Sequence, residues 1–358
     1  MKKLFIGIDF AKEKFDAAII KACGLRETGN REYGVFKNDR KGFQQFMKWV
    51  RTHAVDTLEE EWLFCGEDTG TCSTGLSKWL YGKGLDIWIE TPYTIRHSSG
   101  IQRAKTDKAD SSMIAEYAWR HQDKALLYEP LSESLSTLRE IFLYRHKLVQ
   151  QRVAMDIRKQ DKEHSELSKA MNFIKRKSDH IIEEIDKAIK ECDKMIDRTI
   201  EEDEELKENY TIITSVKGIA RQNAACLLIF TNNFKRFDLD PRKIACYYGV
   251  APFGRQSGTS VHSPARTSHF ANKMIKALLA QAAQCARIYN PEIKEYYNRL
   301  IKRGKKPLVA LNNVKNKLIR IIVALVRNKT LYNPKTYLMY NDKFENVKYD
   351  VKTMESLG

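Results

Sequence analysis

Apolar and polar positions follow three different patterns along this chain. In residues 3–123 the apolar runs are short. Runs at 4–9 and 15–20 have strand length and are separated by a turn, and 33–37 adds a weaker third. Strand and helix patterns then alternate: a helix near 41–53, a strand at 62–66, a helix near 73–82, a strand at 86–90 and a helix from about 107 to 121. An opening meander followed by such alternation predicts a sheet flanked by helices. The pair Thr91-Pro92 is expected to break regular structure after the last strand.

Residues 131–208 contain neither Gly nor Pro and are rich in Lys, Glu, Ile and Leu. Leu167, Ile174, Ile181, Ala188 and Met195 recur every seventh residue, Ile182, Ile189 and Ile196 follow on the neighbouring stripe, and Met171, Ile185 and Cys192 extend the same face. A heptad of this length predicts a long helical hairpin or coiled coil, either packed on its own domain or shared between chains. The acidic run Glu201-Glu202-Asp203-Glu204-Glu205 is expected to end this arm as a solvated face.

From residue 210 the pattern is again that of compact helices. The segment Thr214-Ser215-Val216-Lys217-Gly218-Ile219-Ala220, before an Ala/Leu-rich helix, resembles a helix-hairpin-helix turn and equally suits a plain packing corner. Tyr247-Tyr248-Gly249-Val250-Ala251-Pro252 leads into a small-polar stretch at 254–268, which reads as a loop. Helices are expected at 269–289 and about 307–327. The second should bury Leu308, Leu311, Val314, Leu318, Ile321, Ile322 and Leu325 and turn Lys315, Lys317 and Arg320 outward. The fold class is α/β plus all-α, divided as an α/β domain at 1–128, a helical arm at 129–208, a helical domain at 209–330 and a tail at 331–358 that carries little signal.

The 358 residues carry a net charge of +16, and its distribution is uneven. Residues 241–291 hold seven Lys/Arg and no acid, and residues 294–329 hold eleven against Glu295 alone. A polyanion partner is the usual cause, because basic surface gains affinity by releasing counterions from phosphates. No apolar run spans a bilayer, and Met1-Lys2-Lys3 runs straight into a strand. These features suggest a cytoplasmic protein without a membrane role. The seven cysteines lack paired or CxxC spacing and read as reduced thiols.

Four carboxylates stand out in the first third. Asp9 ends the first strand, Glu67 follows the strand at 62–66, and Asp107 and Asp110 lie three apart at a helix start. Acids at strand ends and on one helical turn can converge on a point, and like charges at close range call for a cation between them. Hard oxygen ligands favour Mg²⁺ or Mn²⁺. Two such ions about 3.5–4 Å apart can activate an attacking oxygen and stabilise a leaving one in phosphoryl transfer. Taken singly, Asp9 also suits a turn and Asp107 an N-cap. Asp16 and Glu90 read as strand-edge charges, and Asp68 as a less clear neighbour. In the basic part, Gly254-Arg255-Gln256-Ser257-Gly258-Thr259-Ser260 offers hydroxyls among cations, fit either to attack a phosphodiester or simply to contact a phosphate.

Several of these segments together resemble the DEDD insertion-sequence transposases. They are Gly7-Ile8-Asp9-Phe10-Ala11-Lys12, Gly66-Glu67-Asp68-Thr69-Gly70 and Lys105-Thr106-Asp107-Lys108-Ala109-Asp110, followed by Tyr248-Gly249-Val250-Ala251-Pro252, Gln256-Ser257-Gly258 and Ala282-Ala283. The likeness runs in order over roughly residues 4–300. It implies a ribonuclease-H/RuvC-like N-terminal domain with Asp9, Glu67, Asp107 and Asp110 as metal ligands, and a C-terminal transposase domain with Ser257 as nucleophile. It further implies strand exchange of donor and target DNA through a 5′-phosphoserine, guidance by a structured non-coding RNA from the element, and a composite site in a homodimer or homotetramer. Two departures stand out. Asp68 sits where most relatives have Ser or Ala, and the altered surroundings of Ser257 leave Thr259 and Ser260 as alternative nucleophiles. Other readings of the same residues are a metal-dependent Holliday-junction-type nuclease, an actin-like sugar kinase or ATPase, and a non-catalytic nucleic-acid scaffold.

Overall fold

A computed structural model describes residues 2–23, 26–27, 30–98, 106–163, 169–257, 261–268 and 271–334, with the backbone alone described at Cys23, 157–163, 169–171, 255–257 and 261–264. The chain forms two compact units, Met1–Pro130 and Leu131–Gly358.

The first unit is a mixed sheet with helices on both faces. Its elements are β1 (Leu4–Phe10), β2 (Lys14–Cys23), β3 (Arg26–Glu27), β4 (Glu32–Lys37), α1 (Arg40–His53), β5 (Trp62–Glu67), α2 (Thr71–Tyr81), β6 (Ile87–Glu90), α3 (Pro92–Ser98) and α4 (Asp107–Arg120). The strand order is β3-β2-β1-β5-β6, with β4 also on β2. β1, β2 and β4 form the antiparallel meander, whereas β5 joins β1 in parallel and β6 joins β5 in parallel. Strand side chains alternate between faces. Leu4, Ile6, Ile8, Trp62 and Phe64 therefore pack with Phe46, Val50, Leu76 and Leu80 of α1 and α2. Phe5, Leu63, Cys65 and Trp88 pack with Ile95 of α3 and Met113, Ile114 and Ala115 of α4. The expected break after β6 is instead a short helix: Pro92 opens α3, where its missing N–H costs nothing.

Gly7 sets how close α4 lies. A Cβ there would fall 2.2 Å from both Ala115 N and Ser111 O. Only a glycine lets the helix rest on the β1 backbone, which brings the first turn of α4 over the strand ends.

The second unit begins with two long helices, α5 (Glu133–Glu163) and α6 (Lys169–Glu201). They run antiparallel: Arg145 pairs with Asp193 and Arg152 with Asp186, seven residues on in one helix and seven back in the other. The buried stripe of α6 is not the first one read from the heptads. Cys192 and Ile196 are buried and Ile182, Ile185 and Ile189 partly so, whereas Ile174, Ile181 and Met195 are 40%, 41% and 49% exposed. Both stripes are apolar, and the partner helix decides which one is covered. Leu167 lies outside the described residues, as does the side chain of Met171.

The remaining elements are α7 (Glu204–Thr214), α8 (Arg221–Phe230), α9 (Pro241–Tyr247), β7 (Pro252–Ser257), β8 (Val261–Thr267), α10 (Lys273–Tyr289), α11 (Pro291–Lys302) and α12 (Pro307–Asn328). Within the acidic run, Asp203 caps α7 by accepting from Leu206 N, while its neighbours are exposed. Leu135, Leu138 and Phe142 of α5 and Ile196 and Ile200 of α6 share one core with α7–α12. At the turn between α7 and α8, Gly218, at φ +104°, is pressed against Ala286 of α10. In α12, Leu311, Val314, Leu318, Ile321, Ile322 and Leu325 are buried as expected, but Leu308 in the first turn is 81% exposed. Arg320 is exposed, while Lys315 and Lys317 are half-buried.

The stretch expected as a loop at 254–268 is largely a β-hairpin, β7 paired with β8, with a bulge between Phe253 and Arg255. Its small, polar sequence has no clean apolar alternation, so the pairing rests on backbone hydrogen bonds and left no hydrophobic signal. Residues 335–358, most of the tail, lie outside the described residues, but Tyr332 at its start donates from its N–H to Ser215 Oγ and from its hydroxyl to Glu292.

Candidate active site

The register of the first sheet lines up four acids. Asp9 pairs with Asp16 across β1 and β2; Ile8 pairs with Gly66, which sets Asp9 level with Glu67; and Glu67 pairs with Glu90. By the alternation of the pleat all four face the α4 side, near the carboxyl ends of the parallel strands, where open α/β sheets commonly bind ligands. The first turn of α4 adds Asp107 and Asp110. The capping role open to Asp107 is taken by Thr106, whose hydroxyl accepts from Ala109 N, and acids in a helix's first turn also suit its dipole.

These side chains sense one another. Burial, reinforced by Glu67, Asp110, Asp107 and Asp16, pushes the Asp9 carboxyl from 3.8 up to about 6. Burial also raises Glu67; Arg96 opposes that rise and Asp110 adds to it. Asp107 is held below the usual carboxylate range by Lys14, whose Nζ donates to its Oδ2 at 2.8 Å. The same ammonium donates to Asp16 Oδ2 at 3.0 Å, and the Tyr33 hydroxyl donates to Asp16 Oδ1. Among the described residues, no three acids, histidines or cysteines already stand close enough to chelate one ion. The donor chemistry nevertheless fits a hard divalent cation: oxygen ligands only, with one carboxyl destabilised in its charged form by burial and by its acidic neighbours.

The sequence reads Asp16 and Glu90 as strand-edge charges; the fold places both in the row of acids. Asp16 is 2% exposed and stands beside Asp9. Glu90 accepts from Thr91 N at 2.7 Å, and with burial it pushes the Tyr117 hydroxyl up. The available signal was their two-residue phase with the strand cores. Asp68 is a turn residue, accepting from Gly70 N at 3.1 Å.

Ser257 belongs to the second unit. It is the last residue of β7 and pairs with Val261. Thr259 and Ser260 lie outside the described residues. The segment leading to the hairpin is firmly held: Tyr248 and Val250 are buried, Gly249 sits at φ +62° against Ala271, and Asn312 and Asn316 of α12 both donate to Val250 O, at 2.8 and 2.7 Å. Around this core cations lie on aromatic rings, with Lys317 over Tyr296, Arg287 over Tyr297 and Arg236 over Tyr247. Burial and the charge of Lys276 lower the pKa of Lys315. No helix is long and apolar enough to cross a membrane, among the described residues.

Comparison with known proteins bears on both units. Residues 6–162 match the DEDD-type family model of IS110, described as a transposase, and residues 210–298 match a model described as a transposase of the IS116/IS110/IS902 family. The chain is 24% identical to the pilin gene-inverting protein of Moraxella bovis and 25% identical to that of Moraxella lacunata, in each case over 341 residues covering 94% of this chain and all of the relative. It is 29% identical over 121 residues to a 43.6 kDa protein of insertion element IS110 from Streptomyces coelicolor, covering 34% of this chain and 29% of that protein. With two models of one family matched in order along its length, the chain belongs to the IS110 family of transposases and is a DNA transposase/recombinase.

Proposed function

We propose that the chain recombines DNA by serine attack on a phosphodiester, assisted by a divalent ion, Mg²⁺ or Mn²⁺, held by Asp9, Glu67, Asp107 and Asp110. The observation that carries this reading is the strand register that sets Asp9 level with Glu67 on the face covered by α4, whose first turn holds Asp107 and Asp110, and the upward push on Asp9 agrees with it. The order of the first sheet, a three-stranded antiparallel meander continued by two parallel strands, supports a ribonuclease-H/RuvC-like unit. The antiparallel α5–α6 pair, with heptad positions along both faces of α6, supports a coiled-coil arm.

When bound, the ion would stabilise charge on the reacting phosphate oxygens. The chain's own residues do the rest. Ser257 Oγ loses its proton and bonds to phosphorus, the bond to the 3′-oxygen breaks, and the leaving 3′-oxygen takes up a proton. The phosphodiester energy is kept in the 5′-phosphoserine, so a 3′-hydroxyl can reverse the step on another strand without an added energy source. Such conservative exchange suits the activity named for the two Moraxella relatives, inversion of a gene. Pairing by an element-encoded guide RNA would supply target choice, leaving the protein to read backbone charge and shape. A homodimer or homotetramer would bring acids and serines together at each crossover.

The test is to incubate the protein with its co-purifying RNA, donor and target DNA and Mn²⁺, quench with detergent, and look for protein covalently attached to a 5′ end. Ser257→Ala should abolish the adduct and strand exchange, Asp110→Asn should do the same, and Ser260→Ala should retain both. Cleavage that survives Ser257→Ala would replace this reading with that of a junction nuclease. Absence of a discrete co-purifying RNA would remove the guide.

A further inference from the structure

We propose that Lys14 is a built-in cation of the acidic site, balancing Asp107 where a second metal ion would otherwise do so, so that each chain binds one divalent ion. The inference rests on the metal-site reading above.

Lys14 and Asp16 lie two apart on β2 and face the same side of the sheet as Asp9. The ammonium bridges Asp16 Oδ2 and Asp107 Oδ2, at 3.0 and 2.8 Å. An exposed ion pair alone would mean little, but the anchor of this one is not exposed. Asp16 is 2% accessible, and its other oxygen is taken by the Tyr33 hydroxyl. Each Asp16 oxygen already accepts a hydrogen bond, and the contact it makes toward the site is with Lys14. Tyr33 ties down the same helical turn a second time, because Lys108 Nζ lies 5.6 Å from its ring centre. The chain Tyr33–Asp16–Lys14–Asp107 thus links β4 and β2 to the start of α4 and leaves Asp107 Oδ1 outside these contacts.

A carboxylate shared between two ions needs its oxygens for both. Asp107 has given Oδ2 to an ammonium, and a second divalent ion there would meet that fixed positive charge at close range. That leaves Asp9, Glu67, Asp110 and Asp107 Oδ1 as oxygen donors for a single ion, which must draw them together on binding because no three of them stand at chelating distance beforehand.

Counting Mn²⁺ bound per chain by electron paramagnetic resonance of the free ion, on metal-free full-length protein, tests this without any reaction. Wild type and Lys14→Arg should bind one ion, with any second at least about a hundredfold weaker. Lys14→Met should bind two, the second within about tenfold of the first, in the range that neighbours of ligands typically command. Two comparable ions in wild type, or a single ion in Lys14→Met, would overturn the role of Lys14 and leave the metal site standing. No bound ion in any variant would sink both.

Discussion

Asp9 is the penultimate residue of β1, half-buried, with its carboxyl pushed up to about 6 by burial and by acids on three elements. A raised acid pKa favours the protonated folded form. Its stabilising contribution is complete below the ordinary carboxylate value near 3.8 and is lost as pH rises through about 6. Metal-free Asp9→Asn should therefore be more stable than wild type at pH 7.5, by about 1 kcal/mol after allowing for solvent screening, with the gap closing below about pH 4. Thermal unfolding at the two pH values checks it. Because protons and metal compete for the same carboxyl, Mn²⁺ affinity should also fall as pH drops below about 6, which calorimetric titration would read. Asp9, Glu67, Asp107 and Asp110 could be picked out in the chain because each adjoins the end of an element whose period is legible. For Asp16 and Lys14 the two-residue phase gives only a shared face: what that face meets depends on the pairing of β2 with β1 and on where α4 lands.

Two elements show how packing translates into the site. α4 reaches the strand ends because Gly7 lets it touch the backbone of β1. Gly7→Ala should cost about 3 kcal/mol in urea unfolding followed by circular dichroism, since helix backbone cannot yield as a flexible side chain would. Gly70→Ala has open space, but at φ +69° and ψ −115° it lies outside the left-handed helical well and should cost about 2 kcal/mol. In the arm, Ile196 is fully buried and its neighbour Met195 is 49% exposed. Ile196→Ala should lose about 3 kcal/mol, and Met195→Ala should stay within about 0.5 kcal/mol, in the same measurement. Equal losses would mean that both stripes of α6 are covered within one chain.

For the molecule as a whole, charge is divided by unit. Residues 1–130 are close to balanced, so nearly all of the +16 excess belongs to Leu131–Gly358. The unit with the acids has little net attraction for DNA, and the unit with Ser257 has a strong one. Affinity for duplex DNA should fall by about 10³-fold or more between 50 and 200 mM salt, as measured by fluorescence anisotropy, if about six or more phosphates are contacted. A flat curve would remove the counterion argument.

Local information was enough for the strands and most helices of the first unit, the helical arm and the basic excess, because pleat alternation, heptad period and charge are properties of neighbours in the chain. Three features needed the folded molecule. The choice between two adjacent apolar stripes of α6 was made by α5, and the hairpin β7–β8 formed by backbone pairing that leaves no apolar trace. The row Asp16–Asp9–Glu67–Glu90, with Lys14 bound to it, exists only once strand register is set. Periodicity says how often a side chain returns to a face; only the pairing of distant segments says what that face meets.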